Sequence, residues 1–268
     1  MSDWLPASAV ITGGASGIGL AIARELAARG TKIMLADLPG ERLDEAARSI
    51  DGATAQPCDV SDLSQAEALS VAAFDALGTV ELLLNNAGVG GPRGKLWEID
   101  PDVARAHFDT NYWGVWNGCK AFAQRMVEQS APSAIYNTAS ENSFFCAGPQ
   151  MGTYIAAKHA VLGLTESIRE DLPEHVHAGA IIPGWVFTDI GPEKFMHYGM
   201  AANEYASIVV PQLLARERFV VSHYSNVRRI RERVEPLLDS YERNAPREKD
   251  DGAYDVRDVI GAMRRSSD

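Results

Sequence analysis

Thr12–Gly19 reads TGGASGIG. It stands between an apolar run, Ala7–Thr12 (ASAVIT), and a stretch of helical periodicity, Ile18–Arg29 (IGLAIARELAAR), which stops at Gly30. A glycine-rich turn from a strand into a helix is the place where a parallel α/β sheet receives a phosphate. The helix start offers unpaired N–H groups and a partial positive charge, and the glycines let the backbone come close. Gly13 permits the tight turn, Gly17 the approach to a pyrophosphate, and Gly19 close packing of helix on strand; Ser16 and Ile18 complete the turn. The spacing is G-x-x-x-G-x-G, which differs from the G-x-G-x-x-G fingerprint, and the Lys-Ser/Thr pair of a nucleotide triphosphatase loop is missing. Taken alone, the turn is equally compatible with a purely structural bend.

Outward from this turn the chain alternates short apolar runs with longer helical patterns. Strands are predicted at Lys32–Ala36, Thr54–Cys58, Val80–Leu84, Ala134–Thr138, His177–Ile182 and Phe219–Ser222. Helices are predicted at Glu41–Ile50, Ser61–Leu77 (with Ser61 as N-cap), Asp102–Glu128 and Thr153–Asp171. Seven strands separated by helices predict a doubly wound, parallel seven-stranded sheet of the Rossmann type in a single α/β domain. The all-apolar VELLL at 80–84 suits a strand covered on both faces.

The chain has 268 residues, with 25 Lys and Arg against 36 Asp and Glu, a net charge of −11. Such a balance argues against nucleic acid or an anionic membrane surface as partner. Three cysteines, Cys58, Cys119 and Cys146, lie far apart without a Cys-x-x-Cys pair, so neither a disulfide framework nor a zinc site is expected. His175 and His177 have no acidic partner at ligand spacing, and no metal is expected. With no long apolar span and no basic leader, a cytoplasmic setting is the expectation.

Two further signals carry chemistry. Asp37 closes the second strand, 20 residues after Gly17. A carboxylate there accepts hydrogen bonds from the adenine-ribose hydroxyls of NAD and repels the extra phosphate of NADP, and neither Ser16 nor Leu38 supplies a cation to offset it. NAD is therefore the expected cofactor, although Asp37 before LPG is also an ordinary turn former. Tyr154 and Lys158 lie four apart on a predicted helix and share a face. A phenol serving as base at neutral pH needs about 4 kcal/mol of help, which one cation at about 4 Å supplies. Ser140, just past a strand end, can hold a substrate oxygen.

With these pieces in chain order the sequence resembles the short-chain dehydrogenase/reductases. TGGASGIG at 12–19, Asp37, CDV at 58–60, NNAG at 85–88, Asn111, Ser140, YIAAK at 154–158 and PGWVFT at 183–188 all agree in order and spacing over the first 190 residues or so. The resemblance implies that Asp59 and Val60 contact the adenine, and that Asn86, Ala87 and Gly88 line the cofactor. It implies that Pro183, Gly184, Val186 and Thr188 orient the carboxamide. It makes Tyr154 the general acid/base and has Lys158 bind the nicotinamide ribose as well as lower the tyrosine pKa. Asn111 is implied to bend the long helix and hold a water of a proton relay; an asparagine in mid-helix is itself a cue, because it competes for backbone hydrogen bonds.

The chain departs from the family after residue 190. The segment 189–206 falls where the family covers substrate, and Phe195, Met196, Tyr198 and Met200 are expected to form an apolar lid. Phe144, Phe145, Met151 and Trp185 flank the catalytic segment. Together they point to a bulky, hydrophobic, aromatic or steroid-like secondary alcohol. The family's glycine-rich end is replaced by a helical extension over 226–268, with helices expected at Asn226–Glu242 and around Val256, Val259, Ile260 and Met263. A homodimer built on helices 102–128 and 153–171 is expected, with a tetramer as the alternative. Two other functions compete: an acyl-thioester ketoreductase of the same family, and a dinucleotide-binding sensor without catalysis.

Overall fold

The computed structural model describes residues 4–191, 193–246 and 254–265, the side chains of residues 193 and 195 excepted. The chain divides into a unit ending at Asn226 and a second beginning at Val227. The first holds seven strands: β1 (Ser8–Thr12), β2 (Lys32–Asp37), β3 (Thr54–Pro57), β4 (Leu82–Asn85), β5 (Ser133–Thr138), β6 (Val176–Ile182) and β7 (Phe219–Val221). Every pairing is parallel, and the order is β3-β2-β1-β4-β5-β6-β7. The order reverses between β1 and β4, and that switch point opens a crevice at the carboxyl ends of the strands.

Alternation along the strands builds two cores. Ala9 and Ile11 of β1 and Leu82 and Leu84 of β4 face helices α1 (Gly17–Ala27), α2 (Glu41–Arg48) and α8 (Ala202–Leu214). Val10 and Leu83 face α3 (Leu63–Leu77), α5 (Gly114–Glu128) and α6 (Gly152–Asp171). All four leucines and valines named here are fully buried, as strands covered on both faces require.

Three expectations need correction. The helix at 61–77 begins at Leu63, and its cap is Asp62, not Ser61: the Asp62 side chain accepts from the Ser64 N–H at 2.8 Å. Asp59 claims Ser61 instead, accepting from its N–H and its hydroxyl. The predicted helix 102–128 is two helices, α4 (Pro101–Phe108) and α5, joined by a wider π turn at Asp109–Trp113. The Asn111 amide donates to the His107 carbonyl at 3.1 Å, and the Gly114 N–H reaches five residues back to Asp109. An intruding side chain of this kind is what widens a helical turn. Finally, α8 was unforeseen; it starts inside the segment read as a lid and packs on α1.

The second unit contains α9 (Val227–Asn244) and α10 (Val256–Arg265), the two helices expected of the extension. No helix among the described residues is long and apolar enough to cross a membrane.

Candidate active site

The glycine turn has the predicted backbone. Gly13 (φ +62°) and Gly17 (φ +53°) occupy the left-handed region. A Cβ on Gly13 would come within 2.7 Å of the Ala87 Cα, and one on Gly17 within 3.0 Å of the Thr188 Cγ2. Gly19 does its packing against the turn itself, since a Cβ there would lie 2.3 Å from the Gly13 carbonyl. The second rim of the crevice is stitched to the first: the N–H groups of Asn86 and Ala87 both donate to the Thr12 hydroxyl (3.0 and 3.1 Å), and the Asn86 amide donates to the carbonyls of Thr12 and Gly13.

These elements enclose a cavity of about 750 Å³. Every expected dinucleotide residue except Gly19 lines it, from Gly13, Ser16, Gly17 and Ile18 through Asp37, Leu38, Asp59 and Val60 to Pro183, Gly184, Val186 and Thr188. Asp37 also serves as the turn former weighed against its binding role. Its carboxylate accepts from the N–H groups of Ala15 (3.0 Å) and Leu38 (2.9 Å), which ties β2 to the glycine turn. The cradle fits a dinucleotide: Gly13 and Gly17 leave room where any side chain would crowd the turn, and the Ser16 hydroxyl makes no capping bond at the start of α1.

At the far end of the cavity lie Ser140, Tyr154 and Lys158. Ser140 caps a short turn after β5, its hydroxyl accepting from the Asn142 N–H at 3.1 Å, and it hydrogen-bonds the Tyr154 phenol. The Lys158 ammonium donates to the Thr138 carbonyl at 2.8 Å and stands 5.8 Å from the centre of the Tyr154 ring. Burial pushes the Lys158 pKa down to about 8. It pushes the Tyr154 phenol up, opposed by the Ser140 bond. Without a bound dinucleotide, burial is the leading influence on the phenol and Ser140 the one that opposes it. Both groups sit in a dry interior that disfavours their charged forms, and the ammonium spends its closest bond on Thr138. Asn111 does not line the cavity. It is fully buried behind the Gly88–Val89 backbone, accepting from the Val89 N–H (3.3 Å) and donating to its carbonyl (3.1 Å).

The expected substrate residues divide. Met151, Trp185 and Met196 line the cavity. Phe145 does not, and Tyr198 is 79% exposed, its ring stacked on His197 at 4.4 Å. The lid is pinned by a bridge between Val186 and Met200, with the Phe187 N–H donating to the Met200 carbonyl at 2.8 Å, and this turns Tyr198 outward. Phe195 belongs to the short helix α7 (Glu193–Met196), and its side chain lies outside the described residues. Among the described residues no group of three potential metal ligands occurs. Cys58 and Cys119 are pushed up to about 11 and about 12 by burial, which makes them poor nucleophiles.

Sequence reasoning missed two side chains of this region. Arg42, in the first turn of α2, lines the cavity and pairs with Asp189 of the segment after β6. His107 is buried beside Tyr154; its place four residues before Asn111 was the available signal.

The comparisons agree with this geometry. The short chain dehydrogenase family model matches residues 7–198, and the chain belongs to the short-chain dehydrogenase/reductase family. It is 37% identical over 227 residues to 1-deoxy-11-beta-hydroxypentalenate dehydrogenase of Streptomyces avermitilis, covering 81% of this chain and 84% of that one. It is 32% identical to 2,5-dichloro-2,5-cyclohexadiene-1,4-diol dehydrogenase of Sphingobium indicum, over 70% and 76% of the two chains. A short-chain dehydrogenase/reductase of Burkholderia phymatum, solved in complex with NAD, superposes with a TM-score of 0.83 at 30% identity, over 92% of this chain and 99% of that one. The protein is an oxidoreductase acting on CH–OH groups, of a family that uses a nicotinamide dinucleotide.

Proposed function

We propose that this enzyme interconverts a bulky hydrophobic secondary alcohol and its ketone, using NAD in preference to NADP. The observation that carries the reading is the convergence of Ser140, Tyr154 and Lys158 at the end of a cavity whose other wall is the glycine turn and Asp37. When bound, the dinucleotide supplies the hydride acceptor or donor. Gly13, Gly17 and the start of α1 would hold its phosphates, Asp37 its adenine ribose, and Lys158 its second ribose.

The chain's own residues handle the proton. Ser140 holds the substrate oxygen, and Tyr154 exchanges a proton with it. In the folded chain the raised phenol is protonated at neutral pH, the state that donates to a nascent alkoxide in ketone reduction. For alcohol oxidation the phenol must first lose that proton, and Lys158 is the cation that stabilises the resulting phenolate. Asn111 fixes the Gly88–Val89 backbone that forms the wall beside Lys158.

Asp37 favours NAD because a further phosphate would meet its carboxylate. The apolar lining by Met151, Trp185 and Met196 supports a hydrophobic substrate, and so do relatives named for hydroxypentalenate and a cyclohexadiene-diol. The competing reading is an acyl-thioester ketoreductase of the same family. The test is steady-state kinetics with NAD⁺ and NADP⁺ on a panel running from 2-propanol and sorbitol to cyclohexanol, 1-indanol and a hydroxysteroid. The expected result is a higher kcat/KM with NAD⁺ and with the cyclic alcohols, and loss of turnover in Tyr154→Phe with NADH binding kept. Preference for NADP⁺ or for the small polar alcohols overturns the corresponding half of the proposal.

A further inference from the structure

His107 lies on the last turn of α4 and is 5% exposed. Neither ring nitrogen makes a hydrogen bond of full geometry among the described residues, and the Val89 backbone is the only polar group that acts on the ring there. A buried imidazole so weakly paired is costly, and such groups in a native fold demand a reason. Its surroundings are those of the reaction. The ring centre is 6.1 Å from that of Tyr154. Its own backbone carbonyl receives the Asn111 amide. The Val89 carbonyl, which also receives that amide, is the polar group acting on the imidazole, and Lys158 is the charge acting on it. The titratable groups facing it are therefore Tyr154 and Lys158 of α6, while the Gly88–Gly91 strip offers backbone only.

The Nε2 edge of the ring is turned to Gly91, a residue of the cavity wall. A Cβ on Gly91 would stand 3.2 Å from the His107 Nε2 and 3.0 Å from the Tyr154 Cβ. The bare glycine leaves that nitrogen next to the half-buried Gly91, which follows the exposed Gly88–Gly90 in the chain. The imidazole thus lies between the interior around Lys158 and Asn111 and the cavity wall at Gly91.

We propose that His107 is a proton-relay residue, acting through Tyr154 and Lys158 and touching neither substrate nor cofactor. In alcohol oxidation a proton leaving the Tyr154–Lys158 pair reaches one ring nitrogen through water. The N–H proton on the opposite nitrogen passes to water at the Gly91 side. One N–H bond forms and one breaks, so the ring stays neutral and only its tautomer changes. A lowered His107 pKa, caused first by burial and then by the Lys158 charge, keeps the ring in the neutral state that this exchange requires.

The proposal rests on the catalytic reading above. Its test is single-turnover oxidation of the best alcohol of the panel with NAD⁺. Reduced-nicotinamide absorbance is followed alongside a pH-indicator dye in weak buffer. In the wild type the two traces coincide. In His107→Phe and His107→Gln the proton trace is expected to lag the hydride trace about tenfold, with KM within about twofold of the wild type. Added imidazole should restore coincidence in His107→Ala. Coincident traces in both the Phe and the Gln variants, whether at the wild-type rate or equally slowed, overturn the relay, because a packing defect slows both events together. Hydride transfer surviving in Tyr154→Phe would instead refute the underlying catalytic reading.

Discussion

Lys158 carries a penalty at the residue scale that the role proposed for it explains. The ammonium is buried and its pKa falls from 10.5 to about 8. Below about pH 8 the folded and unfolded chains both hold the proton, and the folded chain bears the whole burial cost. Between about 8 and 10.5 the folded chain sheds a proton that the unfolded chain keeps, so stability from this group rises with pH. Urea unfolding of the wild type and Lys158→Met should show it: the wild type gains on the variant between about pH 7.5 and about pH 9.5. Parallel pH dependences would contradict it. Asp37 is read in the sequence as a ribose acceptor, and its bonds to Ala15 and Leu38 show a structural duty as well. Asp37→Ser should therefore narrow the NAD/NADP ratio of kcat/KM by about tenfold or more and also lower Tm, since an orphaned Ala15 N–H costs about 1 kcal/mol or more. A narrowed ratio with unchanged Tm would deny the tie to the turn. The substrate residues were the least legible. Met151, Trp185 and Tyr198 look alike in a sequence, and only the fold puts the first two on the cavity wall and leaves the third in solvent.

At the scale of the element, periodicity located nearly every strand and helix, because alternating burial leaves a mark on the residues themselves. It could not locate the π turn, where the Asn111 amide bonds back to the His107 carbonyl and across to Val89, 22 residues away. It also missed α8, where Pro211 inside the helix and a nearly continuous apolar run (YASIVVP at 205–211) obscure the helical period. One contact between elements is tight enough to test. Gly118 of α5 lies against the buried Asn85 of β4, and a Cβ there would be 2.0 Å from the Asn85 Oδ1. Asn85 in turn donates to Asn137 of β5 at 2.9 Å. Gly118→Ala must push α5 off the sheet or break that pair, and should cost about 2 kcal/mol or more in urea unfolding. A neutral effect would mean that α5 has slack there.

For the whole molecule, the sheet order places its reversal between β1 and β4, and the glycine turn and the Asn86–Gly88 turn meet there. The expected homodimer belongs to this scale. Trp113 and Trp116, 5.8 Å apart in an edge-on pair, are 45% and 41% exposed at the start of α5. Large aromatic rings left in solvent at this level suit an interface. Light scattering should give twice the chain mass for the wild type, and Trp116→Glu should shift it toward the monomer. A monomeric wild type would set the dimer aside.

The chain's own residues determined the strand–helix alternation, the glycine turn, Asp37, and the Tyr154–Lys158 pair one helical turn apart, since all of these are relations between near neighbours along the backbone. Tertiary structure decided what distance along the chain conceals: that Ser140 meets Tyr154, that Lys158 donates to Thr138, that Tyr198 points away, and that His107 is buried, weakly paired, against Tyr154. The direction of the Tyr154 pKa belongs to the second group. Spacing predicts a cation nearby, but the cost of removing water from both groups exists only once the core has closed around them.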